Sequence, residues 1–369
     1  MKFCKVADIQ DWQNEEFPKI ESILHSTSRG RKAWEFIHVY YGLQELGLLN
    51  GQSRALGLGV GHEPLVFALS NVCGAVVATD LYESQNWSTA AMKTNEVYDK
   101  SPFPFERDRL TVQHMDMTQI DFPDNSFDFI WSCCAIEHVN SFKDLHKVYE
   151  EIHRVLKPGG VAALTTEYNP TDLHSYEPNM LFTDRYWIDR WFTGENPLVQ
   201  GFELLDPIDY SIAPLPENEP LPRNTSRHVV QAYVKDIILS SIAFFIRKAG
   251  DFSRPYDDQW LEPDWRDYLA ACDANRAKQF AQAEALLKPL VDDDKVTVRL
   301  RVAAMRRLAD ALDGQGKTSE IPGLAKTFMQ YYDQASCSDH LMSITNSFKR
   351  AGLWDDAQRI YERVEQLPG

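Results

Sequence analysis

The chain of 369 residues predicts an α/β protein: a doubly wound sheet, preceded by an N-terminal helical layer and followed by an all-α helical-repeat domain. Three observations predict it. Short apolar runs alternate with helical segments between residues 53 and 167, alternating glycines break the first of those runs, and after Pro263 only helical periodicity remains. The expected boundaries are 1–50 for the helical layer, 51–250 for the sheet domain and 263–369 for the helical repeats. A chain of this length exceeds a single typical core.

In the layer, Trp12, Phe17, Ile20 and Ile23 recur at roughly helical spacing, and Ala33, Phe36, Ile37, Tyr40, Tyr41 and Leu43 do so before Gly47. The first strand, near 53–58, runs into Gly57, Gly59 and Gly61. Pro64 then suits the first turn of a helix, where its missing N–H costs nothing. Val76, Val77 and Ala78 lead a second strand, near 75–80, to Thr79 and Asp80. Further strands are expected near 109–115, 127–133 and 160–167. Glu151 to Leu156 reads as a helix entering a Pro158-Gly159-Gly160 turn, and a last strand covers 237–246. The alternation implies parallel strands with helices on both faces.

Glycines after a strand let the backbone approach a ligand, and a carboxylate at the next strand end takes ribose hydroxyls; a bare tight turn is the other reading of the glycines. Met115-Asp116-Met117 ends the third strand and Cys133-Cys134 the fourth, which is followed by Glu137-His138, and Leu156-Lys157-Pro158-Gly159-Gly160 precedes the fifth. In this order the chain resembles the class I S-adenosylmethionine-dependent methyltransferases, in the subgroup with Glu-His after the fourth strand. The likeness is strong over 50–170 and loose to about 248. It implies a Rossmann-like sheet and S-adenosylmethionine as cofactor. By that resemblance Gly57, Gly59 and Gly61 lie under the methionine part, Asp80 holds the ribose, Asp116 meets the adenine amino group and Met117 flanks the ring. Cys133 or Cys134 would lie beside the sulfonium. The chain departs from the family at Ala55, where a carboxylate is usual. Glu63 is the candidate replacement, reaching the cofactor's ammonium; alternatively it is a first-turn residue favoured by the helix dipole.

Residues 168–234 form the expected acceptor cover, because inserts over the carboxyl ends of the strands face the ligand crevice. Tyr176, Phe182, Tyr186, Trp187, Trp191 and Phe192 stack on sugar rings in one reading and form core in the other. The expected acceptor is a hydroxyl of a sugar or glycan precursor, with a small natural product or a protein side chain as the alternatives. A hydroxyl acceptor benefits from a base, for which His138, His174 and His228 are the candidates; His138 equally suits ordering its own loop. No metal is expected, since Asp121 and Asp124 fit turn chemistry. Two rivals stand beside the enzyme. Ala55 motivates a non-catalytic scaffold, and a nicotinamide dehydrogenase shares the glycines and Asp80 but not Asp116-Met117.

A net charge of -16 argues against a nucleic-acid partner, and Arg301, Arg306 and Arg307 read as a solvated face. Six cysteines without Cys-x-x-Cys spacing suggest reduced thiols; no apolar stretch is long enough for a signal core or a membrane span, and a cytoplasmic location is expected. Towards the C-terminus Ala283, Leu286 and Leu290 recur as Ile321, Leu324 and Phe328 and as Ala357, Ile360 and Val364, at offsets of 38 and 36. This resembles a degenerate tetratricopeptide-type array, with Pro322 interrupting one helix start. It implies a surface for a protein partner or self-association, or else a cap on the sheet domain.

Overall fold

The computed structural model describes residues 1–84, 92–170, 181, 183–194, 196–222, 230–234, 237–331 and 338–366. Two units divide the chain: Met1–Ala232 with Leu239–Tyr256, and Tyr233–Ile238 with Asp257–Gly369.

The first unit runs β1 (Lys5–Val6), α1 (Glu16–Ile23), α2 (Arg31–Glu45), β2 (Arg54–Leu58), α3 (Pro64–Val72), β3 (Ala75–Asp80), β4 (Leu110–His114), β5 (Phe127–Cys133), α4 (Phe142–Val155), β6 (Leu156–Tyr168), α5 (Arg185–Phe192), β7 (Phe202–Leu204), β8 (Leu221–Pro222), β9 (Ala232–Val234) and β10 (Ile237–Lys248). β4, β3, β2, β5 and β6 lie side by side in that order and are parallel. β10 closes on β6 in the opposite direction, with Ser240 facing Tyr168 and Arg247 facing Val161. The five strands expected to be parallel are so, and the antiparallel pairing is confined to β10 and its neighbours, where β1 and β7 also pair antiparallel to β10.

Helices cover both faces. Phe129, Trp131 and Cys133 of β5 and Phe245 of β10 join one core with Trp34, Ile37 and Tyr41 of α2 and Phe67 of α3. The next residue along β10, Phe244, points the other way, against Trp191 and Phe192 of α5, as the two-residue period of a strand requires. On this second side α4 packs on β6. Ser141 caps α4 by accepting the Asp144 N–H, and Leu145, Val148, Ile152 and Val155 form its buried stripe. α4 passes straight into β6 at Leu156. The Pro-Gly-Gly segment is thus inside the strand rather than in a turn before it; Gly159 takes φ +77° and the β5 pairing slips between Phe127 and Phe129.

The N-terminal helices bury Trp12, Phe17 and Ile20, whereas Ile23 faces solvent, contrary to its expected place in the stripe. Beneath them Trp34 Nε1–H donates to Asp11 Oδ2 at 2.7 Å, and Lys5 pairs with the other oxygen of Asp11. In the cover, Trp187 and Trp191 are fully buried and the Phe142 ring lies tilted with its centroid 5.0 Å from that of Trp187; Tyr176 and Phe182 lie outside the described residues.

Apart from Tyr233–Ile238, which fall in β9 and the start of β10, the second unit is helical: α6 (Pro263–Arg276), α7 (Phe280–Asp292), α8 (Val298–Gly314), α9 (Ile321–Tyr331), α10 (Ser338–Arg350) and α11 (Trp354–Gln366). Ala283, Leu287, Leu308, Leu324, Phe328, Phe348, Ala357 and Ile360 fill its core. Pro322 does not interrupt α9: the helix starts at Ile321, so the proline occupies its first turn. Nor is Arg301 solvated. Its side chain is 5% exposed, pairing with Asp294 at 3.1 Å and donating to Tyr331 Oη at 2.6 Å. Among the described residues no helix is long and apolar enough to cross a membrane.

Candidate active site

The carboxyl ends of β2, β3 and β5 bring the glycines, Asp80 and Cys133 to one edge of the sheet. β2 runs out at Leu58 and the chain turns through Gly59 at φ +63° and Gly61 at φ +49° before α3. A Cβ on Gly59 would also lie 2.4 Å from Ala135, so no other residue fits that turn without displacing the loop after β5. At Gly57 the requirement is packing: a Cβ there would lie 2.4 Å from the Trp131 ring. Asp80 fastens the turn. Its Oδ2 accepts the Gly61 N–H at 2.9 Å and its Oδ1 the Leu81 N–H at 2.7 Å, while burial pushes its carboxyl pKa up against those bonds.

Glu63 is the residue before α3 and makes no side-chain capping hydrogen bond. Instead Trp131 Nε1–H donates to Glu63 Oε1 at 2.7 Å. Burial pushes this carboxyl up to about 8, against the pull of the Trp131 N–H and the Lys32 ammonium. Asp116 is exposed just beyond β4 and accepts both the N–H and the hydroxyl of Thr118, at 2.8 and 2.7 Å. Met117 approaches the glycine turn, its Cε 3.3 Å from where a Gly59 Cβ would stand. Cys133 is buried at the end of β5, and burial raises its thiol far above the ordinary range. His138 closes a short 3-10 turn and is half-buried, within electrostatic reach of Asp80 and Glu137. His174 and His228 lie outside the described residues.

Beside this turn stands a buried charged cluster that the sequence reading missed. From α2, Arg31 reaches Glu35 at 3.1 Å, Glu167 at 3.3 Å, Cys134 Sγ at 3.3 Å and Ser241 Oγ at 3.1 Å. Lys32 donates to Glu35 Oε2 and to the Cys133 carbonyl, both at 2.9 Å. Burial pushes the Glu35 carboxyl up, but Lys32, Arg31 and the Ser241 hydroxyl outweigh it and hold the group below its ordinary value. Glu137 takes the Glu167 N–H on Oε1 at 3.1 Å, and its buried Oε2 has no partner among the described residues. Burial, then the Glu167 charge, push Glu137 upward against His138. Cys134 adopts φ +51°, a strained conformation for a residue with a side chain. The one sequence signal was Glu35 with cations three and four residues before it.

Residues 56–164 match the family model of the methyltransferase domain. The chain carries a methyltransferase domain. Over 128 residues it is 32% identical to a sterol 24-C-methyltransferase of Aspergillus fumigatus, covering 34% of this chain and 30% of that one. A sterol 24-C-methyltransferase of Pneumocystis carinii is 44% identical over 72 residues, 20% of this chain and 18% of the relative. The chain thus aligns with less than a third of the curated relatives it matches. A solved S-adenosylmethionine dependent methyltransferase from Mesorhizobium loti is similar over 37% of this chain and 55% of its own, at 21% identity and a TM-score of 0.28. S-adenosylmethionine is the cofactor that the resemblance of the motifs to class I methyltransferases implies. The donors at the strand ends suit that group: a carboxylate at Asp80 for vicinal hydroxyls, a tight glycine turn, and side chains of opposite charge at Lys32 and Glu63.

Proposed function

We propose that the chain is an S-adenosylmethionine-dependent methyltransferase that O-methylates a hydroxyl-bearing acceptor, with a sugar or glycan precursor as the first class to screen. Asp80, the glycine turn, Met117 and Asp116 would hold the cofactor. When bound, it supplies an electrophilic methyl group on a sulfonium. The observation that carries the acceptor reading is Glu137: a buried carboxyl with one unpartnered oxygen, beside a second carboxyl, at the strand ends. A hydroxyl oxygen that gains a methyl must lose its proton, and a carboxylate with a raised pKa is a fitting acceptor for it. Arg31 and Lys32 pair with Glu35, and Arg31 also with Glu167, which leaves the second oxygen of Glu137 unpartnered among the described residues.

The buried Trp187 and Trp191 belong to the core and are not available to stack on a sugar, and the hydroxyl part of the reading stands on Glu137. A carbon acceptor of sterol type is the second reading, favoured by the likeness to sterol 24-C-methyltransferases. The helical unit is proposed as a tetratricopeptide-like surface for a protein partner or for self-association.

Calorimetric titration with S-adenosylhomocysteine tests the cofactor site: micromolar binding is expected, lost in Asp80→Ala, with none to NAD. Transfer of labelled methyl to a panel of glycans, small hydroxyl compounds and sterols then tests the acceptor. Glu137→Gln should lower turnover roughly 10²–10⁴-fold on a hydroxyl. An acceptor methylated equally well by that variant removes Glu137 from the reaction.

A further inference from the structure

The methionyl end of S-adenosylmethionine is a zwitterion, with a carboxylate and an ammonium on one carbon. Two side chains of opposite charge flank the end of β5. Lys32, in the first turn of α2, donates to the Cys133 carbonyl. Glu63, ahead of α3, accepts from the Trp131 indole. Trp131 and Cys133 are two residues apart at the end of one strand, and the Lys32 ammonium is close enough to Glu63 to act on its carboxyl.

Both groups keep capacity for a ligand. The Lys32 side chain is 48% exposed although desolvation dominates its surroundings, which is how a wall of a cleft behaves. An ammonium has three donors, and among the described residues Glu35 and the Cys133 carbonyl take two of them. Glu63 uses Oε1 for Trp131, and its other oxygen has no protein partner among the described residues. Lys32 is also among the charges acting on Glu63, yet its ion pair is with Glu35. The two are neighbours without being partners. Ala55, meanwhile, leaves the end of β2 without a carboxylate of its own.

We propose that Lys32 and Glu63 form a clamp of opposite charge for the amino-acid end of the cofactor, Lys32 holding its carboxylate and Glu63 its ammonium. The inference rests on the S-adenosylmethionine site described above. It makes the protein selective for a ligand that carries both charges.

Calorimetry on the full chain separates the two arms, using S-adenosylhomocysteine, its decarboxylated analogue and methylthioadenosine. The wild type should bind the decarboxylated analogue about tenfold to a hundredfold more weakly than S-adenosylhomocysteine, the range for a hydrogen bond to a charged group. Lys32→Met should impose a loss of that size on S-adenosylhomocysteine while leaving the decarboxylated analogue within about twofold. Lys32→Arg should restore most of it. Glu63→Gln should weaken both ammonium-bearing ligands alike and spare methylthioadenosine. Equal wild-type affinity for the carboxylated and decarboxylated ligands overturns the clamp even if a variant misfolds, as does an equal loss for both in Lys32→Met. Failure of the wild type to bind S-adenosylhomocysteine at all would instead sink the cofactor site on which the clamp depends.

Discussion

A carboxyl that must shed its proton to meet an ammonium makes binding depend on pH. Glu63 faces Trp131 of β5, Lys32 and Glu35 of α2 and Asp80 of β3, and burial sets it at about 8 in the free protein. An ammonium ligand prefers the ionised form, so below about 8 part of the binding free energy goes into removing the proton. Affinity for S-adenosylhomocysteine should therefore rise with pH, by at most about tenfold per unit, and level off above about 8. Glu63→Gln should flatten the profile. A wild-type dissociation constant that stays level from mildly acidic to mildly alkaline pH would show that Glu63 does not ionise on binding. The stability of the free protein carries the opposite sign. The folded state holds this proton more tightly than the unfolded chain does, so stability falls as pH rises from the ordinary carboxylate range to about 8. Single residues were legible where chemistry and local order coincide: Gly59 and Gly61 follow the end of β2 directly, and Asp80 closes the adjacent parallel strand nineteen residues on, where it meets their turn. The indole of Trp131 was not legible as the partner of Glu63, because 68 residues separate them.

At the scale of elements, the cover over the strand ends was the open choice between core and a ring-stacking platform. Trp187 of α5 is fully buried against Phe142 of α4, with Tyr186 edge-on at 5.1 Å. Trp187→Ala should cost about 3–5 kcal/mol in urea unfolding, whereas Trp187→Phe should keep most of that stability. A variant that keeps the wild-type midpoint and changes only acceptor affinity would restore the stacking role. The strands β2, β3 and β5 stand close to where the apolar runs placed them, because each is buried along most of its length and reads as a continuous run, while β4 at the edge of the sheet alternates buried Leu110 and Val112 with exposed Thr111 and His114. Direction is another matter. The run at 237–246 is as apolar as a parallel strand, and nothing in its pattern states that it returns antiparallel to β6. β1 and β7, of two and three residues, are too short to have a period. The charged cluster escaped for a related reason: α2, the end of β5, β6 and β10 each contribute a polar group or two, and only the assembled sheet makes them neighbours.

For the whole molecule the question is whether the helical unit serves a partner or stabilises the sheet domain. Each unit has its own buried core, one built around Trp34, Trp131 and Phe245 and the other around Tyr268, Leu308 and Phe328. A ligand stabilises the structure it binds by mass action, by about 2.7 kcal/mol at a hundredfold excess over its dissociation constant. Scanning calorimetry should therefore resolve two transitions, and S-adenosylhomocysteine should raise only the one that belongs to the sheet domain. The transition left unmoved would then be that of a unit free to carry an independent surface. One transition that shifts as a whole with the ligand would mean that the two cores unfold together, which is the behaviour of a cap; the helices would then stabilise the site, and the partner-surface reading would lose its physical basis.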